Sequence, residues 1–387
     1  MTSGGATVAV SMGFMPEDVA IPDPDHPGLR RAGERASAPY DNDLVRQHLC
    51  PATDGTTDEA AAPDLLVTGF DVVDLSGFDE LQHAFAAVRA AGSIDDDQAA
   101  TIRSTLDGAV LPCAGGRTVK VLYLAGEGFI MRKSGPNRMS VVGPRSVGMN
   151  DHGGATSIHA DQDVYGTPLT QLMDGRAPSL FRHHSPDGAN DEAGLMLVNL
   201  WIPLQQITQP LVLGDGRSID RRRHQLRYGL ATQSFLERDD DMVINDIWTF
   251  LHDPDQRWYL RSAMDHRSAY VFDTLSTPHG AAVLPGEDVA ERCYRMLEAA
   301  ESAVRDHDPN ALRAAVADDV PEPGDDVPAA LRAAIGTMVA VADEARDRPD
   351  KVCGPEAEAW LAASQAARAA VVRMSLEMRV VVSIDAD

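Results

Sequence analysis

Val372-Arg373-Met374-Ser375-Leu376-Glu377-Met378-Arg379-Val380-Val381-Val382 alternates in character along its whole length. Val372, Met374, Leu376, Met378, Val380 and Val382 fall on one side; Arg373, Ser375, Glu377, Arg379 and Val381 fall on the other. Side chains two apart on a strand point the same way, so the stretch predicts a strand with one apolar and one polar face. Its place in the chain decides the fold. It follows some 80 residues that read as helix, and it returns the chain to a β structure begun much earlier.

That earlier structure starts near Thr118. Val119–Leu124 reads as a strand, with Phe129–Arg132 pairing to it across Gly126-Glu127-Gly128. Further strands are predicted over Leu195–Leu204, Leu211–Leu213, Met242–Leu251, Arg257–Leu260, Ala269–Phe272 and Gly280–Leu284. Many short strands between Asp, Gly and Pro turns point to a sandwich or jelly roll. The fold class expected is mixed α and β: a jelly-roll core with flanking helices and a helical insertion before the last strand. Phe78, Leu81, Phe85 and Val88 form one helical stripe, and Ile102, Leu106 and Val110 a second. Residues 1–62, rich in Pro, Asp, Gly, Ala and Thr, read as an extended or partly mobile arm. Residues 63–286 are the core with its leading helices, 287–370 a helical insertion, and 371–387 the final core strand. The insertion's stripes, such as Val289, Cys293, Met296, Leu297 and Ala300, read as packing surfaces against the barrel or a homodimer contact.

Composition narrows the function. The chain has 387 residues and a net charge of −25, which repels phosphate backbones and anionic membranes. The basic run Arg221-Arg222-Arg223-His224 is short and reads as a solvated loop. The four cysteines are scattered, with no C-x-x-C pair, which fits a reducing compartment rather than a zinc knuckle. The start of the chain shows no signal-peptide pattern and no segment is apolar enough to span a membrane, so a cytoplasmic setting is expected.

Two segments carry metal-ligand chemistry: Ile158-His159-Ala160-Asp161 and Thr277-Pro278-His279-Gly280. On a strand His159 and Asp161 share a face. Pro278 biases Thr277 toward extended geometry, suiting His279 to arrive from another strand. In a chain with 12 His and 59 acidic residues a lone His-x-Asp says little. With His279 it completes the ligand set of a facial triad that holds Fe(II) on one side and leaves the other open for a 2-oxoacid and O₂. Arg373 and Ser375, or Arg379 on the same face, suit the far carboxylate of that cosubstrate, since the guanidinium fork matches carboxylate geometry. Asn199 and Trp201 read as pocket-lining, Asn199 toward the cofactor and Trp201 toward the substrate. No H-E-x-x-H occurs, which disfavours a zinc peptidase.

These segments lie among others that occur in order: Asn199-Leu200-Trp201-Ile202-Pro203-Leu204, Gln209-Pro210-Leu211-Val212-Leu213-Gly214-Asp215, Arg257-Trp258-Tyr259, Phe272-Asp273-Thr274, Pro278-His279-Gly280-Ala281 and Arg373–Arg379. The series resembles the CmcJ/NvfI-like group, the gibberellin-desaturase-like non-haem iron oxygenases, over residues 118–285 and 371–382. The resemblance implies a double-stranded β-helix, Fe(II), 2-oxoglutarate, and oxidation of a small molecule with O₂, often in natural-product biosynthesis. Hydroxylation is the default, with desaturation, epoxidation or cyclisation as variants. It places the metal ligands on His159, Asp161 and His279, and the cosubstrate motif on Arg373 and Ser375. This chain departs from the group in carrying Ile202 after Trp201, and in the helices that separate His279 from Arg373. Two other functions remain open at this point: an O₂-using iron enzyme without 2-oxoglutarate, and an inactive barrel that serves as a binding module.

Overall fold

The computed structural model describes residues 6–33, 45–56, 63–124, 129–143, 148–166, 169–231 and 244–385. Strand Arg373–Asp385 lies inside the smaller of two large sheets. The order across that sheet is Phe70–Asp74, Ser268–Asp273, Leu195–Gln205, Arg373–Asp385, Thr118–Leu124 and Val110–Pro112. The expected hairpin between residues 119–124 and 129–132 does not form. Ile130–Ser134 instead pairs with Arg373–Glu377, while Thr118–Leu124 pairs with Val380–Asp385. The last strand is long enough to take both short strands end to end along one edge. The proposed turn at Gly126–Gly128 lies outside the described residues.

The larger sheet has ten strands. Their order is Ala6–Phe14, Arg46–Asp54, Trp258–Leu260, Leu211–Gly214, His279–Ala281, His159–Ala160, Ile244–Phe250, Gln225–Ala231, Arg30–Ala32 and Ala20–Pro22. The first two correct the expectation of an N-terminal arm. They form a nine-residue antiparallel ladder, and Val10, Met12 and Phe14 are fully buried. The alternation Val8, Val10, Met12, Phe14 is itself a strand signal. The turn-rich composition around it hides that signal. Residues 242–243 of the predicted strand 242–251 lie outside the described residues, and the described strand is Ile244–Phe250.

Helices cover the outer face of each sheet. Helices Asp79–Ala91 and Asp96–Leu106 bury Leu81, Phe85, Val88, Ile102 and Leu106 against Val198, Leu200, Leu376, Met378 and Val380. Helices Glu287–Arg305, Pro309–Ala315, Ala329–Asp347, Pro349–Val352 and Ala357–Ala370 share a second core with Val10, Met12, Trp248, Phe250 and Trp258 of the larger sheet. Each sheet therefore buries its outer side chains in oil-like layers, as the hydrophobic effect demands. The inner faces look at each other, in a mainly antiparallel arrangement that fits a jelly-roll barrel. There the apolar cluster of Phe70, Trp201, Leu211, Leu213 and Phe272 gives way to buried polar groups.

Candidate metal centre

Those polar groups begin with two imidazoles. His159 and His279 sit directly opposite each other on neighbouring antiparallel strands of the larger sheet. Their ring centroids are 4.4 Å apart. The close approach depends on the next residue. A Cβ on Gly280 would lie 2.8 Å from the Ser157 carbonyl oxygen, so only glycine lets the two ligand strands meet.

The backbone fixes which nitrogen of each ring is available. His159 Nδ1 donates to the Ser157 carbonyl at 2.8 Å, and His279 Nδ1 donates to the Thr277 carbonyl at 3.0 Å. A carbonyl only accepts, so both rings carry a proton on Nδ1 and turn Nε2 toward the shared centre. Asp161 Oδ1 lies 3.3 Å from His159 Nε2 and 3.7 Å from His279 Nε2. Two groups bound to one ion at about 2.1 Å on adjacent positions sit about 3 Å apart, so this spacing suits a shared metal. Among the described residues these three form the only group of His, Cys, Asp and Glu with that convergence.

A second layer holds the carboxylate. Asp161 Oδ2 accepts from Asn199 Nδ2 at 2.6 Å, leaving Oδ1 to face the imidazoles. The other N–H of that amide donates to Glu377 Oε1 at 2.6 Å, and Asn199 Oδ1 accepts from Thr274 Oγ1 at 2.5 Å. Glu377 Oε2 in turn meets Arg132 Nε at 3.2 Å. Every heteroatom of the buried amide is thereby used, which fixes its orientation. Burial pushes the Asp161 carboxyl upward, but its neighbours, the Arg379 guanidinium first, outweigh it and hold the group well below the usual range. Burial, aided by neighbouring His159, lowers His279 to about 3, which keeps its ring neutral.

Arg373 and Ser375 lie across the interior from the imidazoles. Arg373 is 1% exposed, and its guanidinium stands 5.8 Å over the Trp201 ring. Nη1 donates to the Gln209 carbonyl and Nη2 to Ser134 Oγ, while Nε has no hydrogen-bond partner. Ser375 Oγ is fully buried and also unpartnered. Burial and nearby Arg132 lower Arg373 to about 10. A cavity of about 20 Å³ joins Arg373, Trp201 and Arg132 to His159 and His279.

The predicted residues thus divide. His159, Asp161 and His279 converge, Arg373 and Trp201 line the same small cavity as the two imidazoles, and Ser375 lies two residues from Arg373 on its strand. Arg379 does not reach the Arg373 side; its Nη2 is 3.7 Å from Asp161 Oδ2. Asn199 holds Asp161 rather than facing the cavity. Sequence reasoning gave no role to Glu377, Arg132, Thr274 or Gln209. Only Glu377 carried a signal, through its shared face with Arg373.

No protein-family model matches the chain, and no curated protein matches it in sequence. Among solved structures it is similar to the iron and alpha-ketoglutarate-dependent endoperoxidase NvfI, at 13% identity and a TM-score of 0.45, over 97% of this chain and 98% of that one. A variant of the same enzyme aligns at 14% identity and a TM-score of 0.48, over 99% of both chains. At this identity and TM-score the likeness assigns no chemistry to this chain.

Proposed function

We propose that the chain is a non-haem Fe(II)/2-oxoglutarate-dependent oxygenase on a double-stranded β-helix, oxidising a small molecule, with hydroxylation as the default outcome. One observation carries the reading: two imidazoles and one ionised carboxylate converge, Arg373 with its orphaned Nε lines the same small cavity, and an orphaned serine hydroxyl lies two residues along its strand. Buried polar atoms without partners are costly, and a carboxylate would satisfy both.

His159 Nε2, Asp161 Oδ1 and His279 Nε2 would hold the iron. Arg373 Nε and Ser375 Oγ would take the far carboxylate of 2-oxoglutarate. Fe(II) with a 2-oxoacid and O₂ supplies the power to remove hydrogen from an unactivated carbon. The chain's own residues bind, orient and keep water out. Asn199 restrains Asp161 to one ligand oxygen, so that open positions remain. The Ser157 and Thr277 carbonyls set the tautomer of each imidazole and raise its basicity toward a metal. Trp201 backs the guanidinium and fixes its plane. The cavity as it stands has room for little more than a water. Binding the cosubstrate therefore requires rim side chains to move, Arg132 first, because it is partly exposed.

We propose a cytoplasmic setting, on the acidic composition and four buried free thiols, and natural-product biosynthesis, as the sequence resemblance implies. Among the described residues no helix is long and apolar enough to cross a membrane.

The test is anaerobic titration of metal-free protein with Fe(II) and then 2-oxoglutarate. A weak visible charge-transfer band is expected, and it should be absent from His159→Ala and His279→Ala. Iron binding without the band removes the cosubstrate from the proposal. No iron binding defeats it.

A further inference from the structure

A space larger than the one at the triad lies elsewhere. A cavity of about 360 Å³ lies between residues 65–69, the short hairpin His183–Ser185/Gly188–Asn190, and residues 216–221 and 273–277. It shares no lining residue with the small cavity at the triad. Its size is that of a small-molecule site.

The charged groups around it are unevenly satisfied. Arg182 is paired with Asp191 at 2.8 Å, and His184 Nε2 meets the same carboxylate oxygen at 2.8 Å. Arg217 is held by Asp215 through Nε at 2.9 Å and Nη2 at 2.8 Å. Arg221 differs. It belongs to the run that reads as a solvated loop, yet it is partly buried against the cavity. Nη1 alone is used, donating to Gln225 Oε1 at 3.1 Å and to the Ser276 carbonyl at 2.6 Å. Among the described residues Arg221 has no ion-pair partner, so the edge formed by Nε and Nη2 is open. Gly216 leaves that edge room, since a Cβ there would lie 3.2 Å from Nη2. Ser185 Oγ, on a residue 7% exposed, has no hydrogen-bond partner. The opposing acid is Asp273, whose Oδ1 is committed to the Leu275 N–H at 2.9 Å. Leu65, Leu66 and Met196 supply an apolar wall.

We infer that this cavity binds a small organic acid with an apolar body, its carboxylate on the Nε/Nη2 edge of Arg221. An open guanidinium edge is the planar, bidentate match for a carboxylate. The apolar wall selects an aliphatic or aromatic body over inorganic phosphate. This site is independent of the iron proposal.

Calorimetric titration of the full chain, with and without Fe(II), uses octanoate as probe and octanamide as its uncharged counterpart. Octanoate should bind one site at least about tenfold tighter than octanamide, because hydrogen bonds to a charged group are worth that much. Arg221→Gln should weaken octanoate about tenfold or more. Ala189→Trp, on the exposed hairpin at the rim, should block binding without removing a buried group, which keeps the test decisive if Arg221→Gln fails to fold. Both variants should retain whatever iron and 2-oxoglutarate signals the unmodified chain gives. Equal binding of the acid and the amide would overturn the inference. So would absence of saturable binding, or octanoate binding that is lost in Arg373→Met but kept in Arg221→Gln.

Discussion

Two arginines in this molecule, each proposed here to bind a carboxylate, sit in opposite surroundings. Arg373 is sealed in the interior, over Trp201, beside a cavity of about 20 Å³. Arg221 borders about 360 Å³ of open space. Arg373 is clamped on two of its nitrogens from two other segments, whereas Arg221 is clamped on one. The difference separates two uses of the same side chain. A tightly held guanidinium in a closed site presents one geometry to one small ligand. A loosely held one beside a large cavity offers charge and tolerates varied bodies.

The contrast is broken most severely at the triad. Asp161→Ala or His279→Ala should weaken Fe(II) binding by more than about a hundredfold, since even partners outside the ligand set are worth about ten- to a hundredfold. Neither change should alter octanoate binding. Equal loss of both ligands on calorimetry would mean that the variant had unfolded, or that the two sites are one.

Next in size is a swap test. Arg373→Met should abolish the 2-oxoglutarate band while iron still binds. It should also lower stability by about 1–3 kcal/mol, because the Gln209 carbonyl loses its donor. Arg221→Gln should leave the band unchanged. A band that survives in Arg373→Met would move the cosubstrate off this arginine. Asn199→Ala sharpens the same comparison more gently. Asp161 would lose the amide that restrains it, and Fe(II) affinity should fall about tenfold in the anaerobic titration. Unchanged affinity would show that the amide serves only packing.

How much of this was legible in the sequence follows from range. The last strand was readable because period two is local: each of Met374, Leu376, Met378 and Val380 announces its face. His159, Asp161 and His279 were readable as a set of types. Their meeting was not, because it depends on the pairing of His159 with His279 across 120 residues. The polar face of the last strand gives no local sign of its burial. It is buried because the larger sheet covers it, which no local pattern records. Asn199, Glu377 and Arg132 join only through that face-to-face packing. Arg221 was misread for the same reason, since a basic run looks solvated until the fold places one member against a cavity.

The smallest effect tests whether the helices of residues 287–370 reach one arginine and not the other. Glu287, the first residue of helix Glu287–Arg305, is fully buried. It accepts from the backbone N–H groups of Leu284, Gln209 and Asn137. Gln209 is the residue whose carbonyl holds Arg373. Burial outweighs those three donors and raises Glu287 from 4.5 to about 7. The folded group therefore keeps its proton more tightly than the unfolded one. Its contribution to stability is complete below pH 4.5 and is lost as the pH rises through about 7. Glu287→Gln cannot ionise, so its melting temperature should change less over that window, by a few degrees. Across the same window the unmodified chain's affinity for 2-oxoglutarate should drift, as Gln209 and Arg373 respond to the new charge, and Glu287→Gln should remove that drift; octanoate affinity at Arg221 follows Asp273, which burial raises to about 6, and should be the same in Glu287→Gln. A 2-oxoglutarate drift that persists in Glu287→Gln would show that the pH acts elsewhere and not through the Glu287–Gln209–Arg373 contact.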